Sequence, residues 1–373
     1  MNSTIRYTYQ TMPPVGNAPI DSGPVPPGDA ALVARYEEIA WAETLQWQTR
    51  YRKVRLLGAG GQGAVYLAQR EGGDGFARPV ALKAFSPETY LDDRAYSEDM
   101  AHIGQVCNRV ALIQSDNVVH IQDFVEWNGI RLMEMEWLDG FDLREVLTQA
   151  MLDRTRNQLS TEQFRVVTSV ILNAGPSQPK LMPGVAIAIL RDCLAGLAAL
   201  HNAGIVHSDI KPANIMLTRM GHAKLIDIGS TIDLRRPSPR RVWSPAYAAP
   251  EVLTGGEPTS RSDLASLGYV LIEMLAGRPI FEGSLAYREL VDAKSALHQK
   301  LQDFLPPEVS GNDLLLSLCR RLIVPDPAQR IPTAEAADVG RRGAADFHRQ
   351  LVKGNLASEY VHDIRAWLRD LVH

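Results

Sequence analysis

His207-Ser208-Asp209-Ile210-Lys211-Pro212-Ala213-Asn214, read with Leu225-Ile226-Asp227-Ile228-Gly229, decides how this chain is understood. One carboxylate, Asp209, stands two residues before a lysine and five before an asparagine. A second, Asp227, follows that asparagine after thirteen residues. A carboxylate within reach of a hydroxyl can accept its proton. A neighbouring ammonium can neutralise charge developing on an anionic group. An amide oxygen and a second carboxylate suit a hard divalent cation such as Mg²⁺, which takes few protein oxygens.

In this order and spacing, the set resembles the catalytic and metal loops of eukaryotic-type (Hanks-type) Ser/Thr protein kinases, in a soluble, prokaryotic style. The resemblance implies transfer of the ATP γ-phosphate to a protein Ser or Thr, with ATP and Mg²⁺ as cofactors. It assigns Asp209 as base, Lys211 to the moving phosphoryl group, and Asn214 and Asp227 to the metal. It also implies an α+β, bilobal protein-kinase-like fold, with a small mostly-β N-lobe and a larger mostly-α C-lobe. Two departures stand out. Ser208 occupies the place of the usual Arg, which commonly pairs with a phosphorylated activation loop. Ile228 replaces the usual Phe and can fill the same apolar pocket.

Upstream, Gly58-Ala59-Gly60-Gly61-Gln62-Gly63-Ala64-Val65 follows the strand-like run Val54 to Leu57. Glycines at 58, 60 and 63 let backbone approach phosphates, and Val65 can pack on a base. A dinucleotide fingerprint would lead into a helix, but Ala64 to Ala68 reads as another strand. Val80-Ala81-Leu82-Lys83 matches the strand that supplies a lysine to the α- and β-phosphates, with Ala81 against the base. That lysine needs a carboxylate from the next helix. Glu98 and Gln105 compete for the position, two turns apart on one helical face, and Glu98 is favoured. Leu132 to Gly140 resembles the segment joining the lobes. Met135 is expected behind the adenine, the backbone of Glu136 and Leu138 at its edge, Asp142 at the ribose and Met216 beneath the ring.

Downstream, Ser230 to Ala248 is a basic segment in which Arg235, Arg236, Arg240 and Arg241 flank Pro237-Ser238-Pro239. It can be a solvated loop, a site for acidic substrates, or an autophosphorylation segment centred on Ser238. Ser244 to Glu251 resembles the peptide-docking stretch. Asp263 to Gly268 resembles the helix that anchors the catalytic loop. Arg330 is expected to pair with Glu251.

Four regions are expected. Residues 1–50 hold a Pro-rich arm and a helix capped by Asp29, with Leu32, Val33, Tyr36 and Ile39 on one face. An SH3-type ligand is the minority reading of the arm. Residues 51–138 form the N-lobe. Residues 139–340 form the C-lobe, with an insertion at 151–183. Residues 341–373 carry a helix with Tyr360, Val361, Ile364, Trp367, Leu368 and Leu371 on one face. Packing of that helix on its own domain competes with a partner or dimer contact, as it does for the insertion.

Bulk properties agree with an ordinary globular protein: 45% hydrophobic, 22% charged and a net charge of -4 over 373 residues. That charge gives no reason to expect nucleic acid. Cys107, Cys193 and Cys319 are odd in number and scattered, which argues against a disulfide framework or zinc site and for a cytoplasmic, reducing compartment. The apolar run Val185 to Leu200 reads as a buried helix, with no membrane span expected. Two further classes stay open: a nucleotide-binding pseudokinase or scaffold, and a small-molecule phosphotransferase.

Overall fold

The computed structural model describes residues 49–236, 243–281, 286–353 and 360–371. The Pro-rich arm, the helix expected after Asp29, and Ser238 lie outside the described residues.

Five antiparallel strands form the first lobe in the order β1-β2-β3-β5-β4. They are β1 (Arg50–Gly60), β2 (Gly63–Glu71), β3 (Ala77–Phe85), β4 (Ile121–Trp127) and β5 (Ile130–Glu136). Asn128 and Gly129 close the β4–β5 hairpin at φ 49° and 79°. Two positive φ values define the turn whose twist matches paired strands, and the Asn-Gly pair supplies them at least cost. The outer face of the sheet is tied at one point. Glu134 of β5 is fully buried and accepts from Tyr51 Oη at 2.5 Å, Arg78 at 2.8 Å and Arg70 at 3.2 Å. One carboxylate therefore links four strands. Its desolvation is offset only because every partner is present.

Helix α1 spans Asp93–Ala111 and starts where the Asp92 side chain accepts the Ala95 N–H. The sequence pattern reads this helix over 98–113, and the cap adds a turn ahead of that start. Tyr96, Met100, Val106, Cys107 and Val110 form its buried face.

The second lobe is helical. Its helices of ten residues or more are α2 (Gln149–Gln158), α3 (Thr161–Val170), α4 (Pro183–Asn202), α5 (Ser260–Ala276), α6 (Tyr287–Gln299), α7 (Asp313–Leu322), α8 (Ala344–Lys353) and α9 (Tyr360–Arg369). Every residue of α5 from Ser262 to Ala276 is buried, the pattern of a helix at the centre of a core. Helix α4 is long and apolar enough by composition to cross a membrane, and here it packs on α5 and α8. Short strands β6 (Gly140–Asp142), β10 (Ile215–Thr218) and β11 (Ala223–Leu225) form a small sheet under the cleft, and β9 (Ile205–Val206) pairs with β12 (Ile232–Asp233).

The insertion forms α2, α3 and the hairpin of β7 (Leu172–Asn173) with β8 (Lys180–Leu181). Helix α9 lies against α3 and α4. Tyr360, Ile364, Trp367 and Leu368 are buried, and Trp367 Nε1 donates to Thr155 Oγ1 at 3.1 Å. A Cβ on Gly184 would meet Tyr360 Oη at 2.0 Å, so a glycine is required for this approach. The chain's own insertion and α4 thus occupy the apolar face of α9. Of the two readings of that helix, packing on its own domain is the one seen for this face.

Candidate active site

Asp209 is the hub of the site. It is 5% exposed. Its Oδ2 accepts from Lys211 Nζ at 2.6 Å and Asn214 Nδ2 at 3.1 Å. Its Oδ1 accepts the Ser244 N–H at 2.9 Å. Lys211 Nζ also donates to Ser244 Oγ at 3.0 Å. The catalytic loop and the docking stretch are therefore one hydrogen-bonded unit. Asn214 Nδ2 also donates to the Asp209 carbonyl at 2.8 Å, which fixes the amide and leaves Oδ1 as its acceptor face.

The loop is held from beneath by Asp263 of α5. Its oxygens accept the His207 and Ser208 N–H groups, both at 2.8 Å, and His201 Nε2 lies 2.9 Å away. Ser208 has φ 71°, a conformation uncommon for a residue with a Cβ. The Asp263 bonds hold it there. Behind the docking stretch, Arg330 forks onto Glu251 at 2.7 and 3.0 Å, the geometry that gives Arg–carboxylate pairs their strength.

Lys83 lies on β3 and is 5% exposed. Its Nζ is 2.6 Å from Asp227 Oδ1 and 3.0 Å from Gln62 Oε1 at the tip of the Gly turn. Burial raises the Asp227 carboxyl, but the Lys83 ammonium and the Gly229 N–H outweigh it and hold the group below the ordinary carboxylate value. Asp227 itself has φ 62°.

The partner assigned to Lys83 is corrected. Glu98 pairs with Arg94 at 2.7 Å, and both side chains are largely exposed. Gln105 accepts from Arg236 at 3.0 Å and also faces away. The reason is helical phase: with Tyr96 and Met100 buried, residue 98 is turned about 200° from each, at about 100° per residue. Asp99, one position on, lines a small cavity with Gln62, His102 and Gly229 and accepts from Tyr90 Oη at 2.5 Å. Gln62 and Asp99 were not singled out from the sequence. The phase of the buried face was the signal for Asp99.

Most of the residues expected at the nucleotide lie on paired strands. A Cβ at Gly58 or Gly60 would meet nothing within 4 Å, so that strand face is open. At Gly63, φ is 129° and a Cβ would lie 1.9 Å from the Ala84 carbonyl oxygen, so no other residue fits. Val65 pairs with Lys83, and Ala81 with Met135. Met135 is buried. Leu138 is partly buried against the main core. The Glu136 N–H donates to His120 O at 3.0 Å, and its carboxylate takes Lys224 at 2.7 Å. Met216 pairs with Asp142, whose carboxylate caps the following turn through the Glu145 N–H at 2.8 Å. Among the described residues no three His, Cys, Asp or Glu side chains cluster as a metal site. A cation here would be held by Asp227 and Asn214 oxygens and by phosphates. That fits a hard ion that keeps few protein ligands.

Residues 51–339 match the family model for the protein kinase domain.

The chain belongs to the protein kinase domain family.

Serine/threonine-protein kinase PknD of Mycobacterium tuberculosis is 33% identical over 242 residues, covering 64% of this chain and 31% of that protein. Serine/threonine-protein kinase PrkC of Bacillus subtilis is 29% identical over 308 residues, 80% of this chain and 41% of that one. For pkn2 of Myxococcus xanthus the figures are 29%, 79% and 32%. The chain thus spans about a third of the length of PknD and of pkn2 and about two fifths of PrkC. The family implies ATP as phosphate donor and a divalent metal.

Proposed function

We propose that this chain is a serine/threonine protein kinase that transfers the γ-phosphate of ATP to a protein hydroxyl, with Mg²⁺ as the cation. The observation that carries the reading is the Asp209 hub. One carboxylate is aligned at once by Lys211, Asn214 and the docking stretch. Asp209 would accept the proton of the acceptor hydroxyl, and Lys211 would neutralise the moving phosphoryl group. Lys83 would meet the α- and β-phosphates. Asn214 Oδ1 and Asp227 would hold the cation, whose contribution when bound is to neutralise phosphate charge. Val65, Ala81, Met135 and Met216 would sandwich the base. The Ser244 to Glu251 stretch, bonded to the hub, supports a polypeptide acceptor over a free metabolite.

The test is transfer of labelled γ-phosphate to the chain and to a histone, beside Asp209→Ala. Transfer should fall by about 10²–10⁴ while ATP still raises the melting temperature. Transfer that survives in the variant overturns the assignment. One observation favours a second reading, a nucleotide-binding scaffold: Glu98 pairs with Arg94, not Lys83. ATP binding without transfer in the wild type would select it.

A further inference from the structure

Lys294 of α6 is fully buried. Its Nζ donates to the Ala246 carbonyl at 2.6 Å and lies 4.0 Å from the ring centre of Tyr269 and 4.4 Å from that of Phe281. Two aromatic faces attract a cation but compensate its lost hydration only in part. A methionine of similar length would fill the same space without that penalty. Packing alone therefore does not account for the ammonium.

What it holds matters. Ala246 follows Ser244 by two residues, and Ser244 touches both Asp209 and Lys211. The next side chain, Tyr247, donates to Glu273 at 2.7 Å. The docking stretch is thus pinned to the hub at Ser244, to α5 at Tyr247 and to α6 at Ala246. We propose that Lys294 is a positioning residue for the acceptor: its ammonium, by holding the Ala246 carbonyl, fixes the height of the docking stretch beneath the incoming peptide. The proposal rests on the kinase reading above and adds which residue sets acceptor affinity.

Burial lowers the Lys294 ammonium to about 7. It is charged below that value and neutral above it, where its bond to the carbonyl weakens. Other titratable groups on the surrounding elements behave differently. The Tyr269 and Tyr247 phenols are pushed upward by burial. Glu251 is paired with Arg330. Glu273, raised by burial, is bonded by Tyr247 and Gln178. His298, on the same helix, is lowered by burial and by Arg320.

The experiment is steady-state kinetics of the full chain with Mg-ATP and a histone acceptor, wild type beside Lys294→Met, from pH 6 to 8. At pH 6.5 the variant should raise the acceptor KM about tenfold, the loss of one charge-assisted hydrogen bond. Its KM for ATP should stay within about twofold. The wild-type acceptor KM should rise across the range and the variant's should not. An unchanged acceptor KM in the variant, or equal rises in both KM values, overturns the proposal. If Lys294→Met fails to fold, a flat wild-type acceptor KM from pH 6 to 8 overturns it. Wild type that binds ATP but transfers nothing removes the kinase reading first, and the positioning role with it.

Discussion

At the scale of single residues, Asp227 has a clear pH consequence. Its folded-state carboxyl is held below the ordinary value of 3.8. The Lys83–Asp227 contact therefore stabilises fully above pH 4 and is lost as pH falls below it. Asp227→Asn should flatten the melting-temperature profile below about pH 4, where that stabilisation is lost; an unchanged limb would count against the pairing. Glu98 gives the opposite expectation. It is exposed and paired with Arg94, so Glu98→Ala should leave kcat/KM within about twofold and stability within about 0.5 kcal/mol. A loss of tenfold or more would return Glu98 to Lys83 in the working enzyme. Asp209, Lys211, Asn214 and Asp227 were legible in the sequence because their spacing is local, set by one loop and the short β10–β11 hairpin. The Lys83 partners were not, because Asp227 and Gln62 sit on loops that only the fold brings to β3.

At the scale of elements, glycines and one ion pair set the geometry. Gly63 turns under the Ala84 carbonyl at φ 129°. Gly63→Ala is therefore expected to cost about 1–3 kcal/mol and to weaken ATP binding, while Gly58→Ala, whose Cβ meets nothing within 4 Å, should spare the fold. Urea titration with and without ATP separates the two. Arg330 has a fully buried side chain and also donates to the Arg261, Val324 and Pro325 carbonyls. Arg330→Ala leaves Glu251 unpaired, and unfolding free energy should drop by about 3–5 kcal/mol. A drop under about 1 kcal/mol would show that water replaces the guanidinium. In the sequence, Val118 to Phe124 and Ile130 to Trp137 read as two strands joined at Trp127-Asn128-Gly129, because that Asn-Gly pair selects the turn. The start of α1 was misread because Asp92 captures the Ala95 N–H, a cap that outranks the apolar pattern.

At the scale of the whole molecule, the insertion and the C-terminal helix complete each other. Trp367 reaches Thr155 across 212 residues of sequence and is 2% exposed. Trp367→Ala should cost about 3–5 kcal/mol, and removal of residues 354–373 should do at least as much, read by chemical denaturation. An unchanged midpoint would mean that α9 is dispensable and its face free for a partner. Each segment alone reads as amphipathic, and periodicity says only that a face is apolar. Which surface covers that face is a long-range fact.

The sequence by itself determined the local motifs: the order and spacing of Asp209, Lys211, Asn214 and Asp227, the lysine on its strand, the Gly turn, and the Glu251–Arg330 pairing. These are local spacings, or motifs whose order along the chain fixes their place. The tertiary structure alone decided that Lys83 meets Asp227 and Gln62, that Glu98 faces solvent, that α9 closes on the insertion, and that Lys294 lies buried beneath Ala246. Those outcomes depend on helix phase and on contacts between segments far apart in the chain, and neither is written in any short stretch of residues.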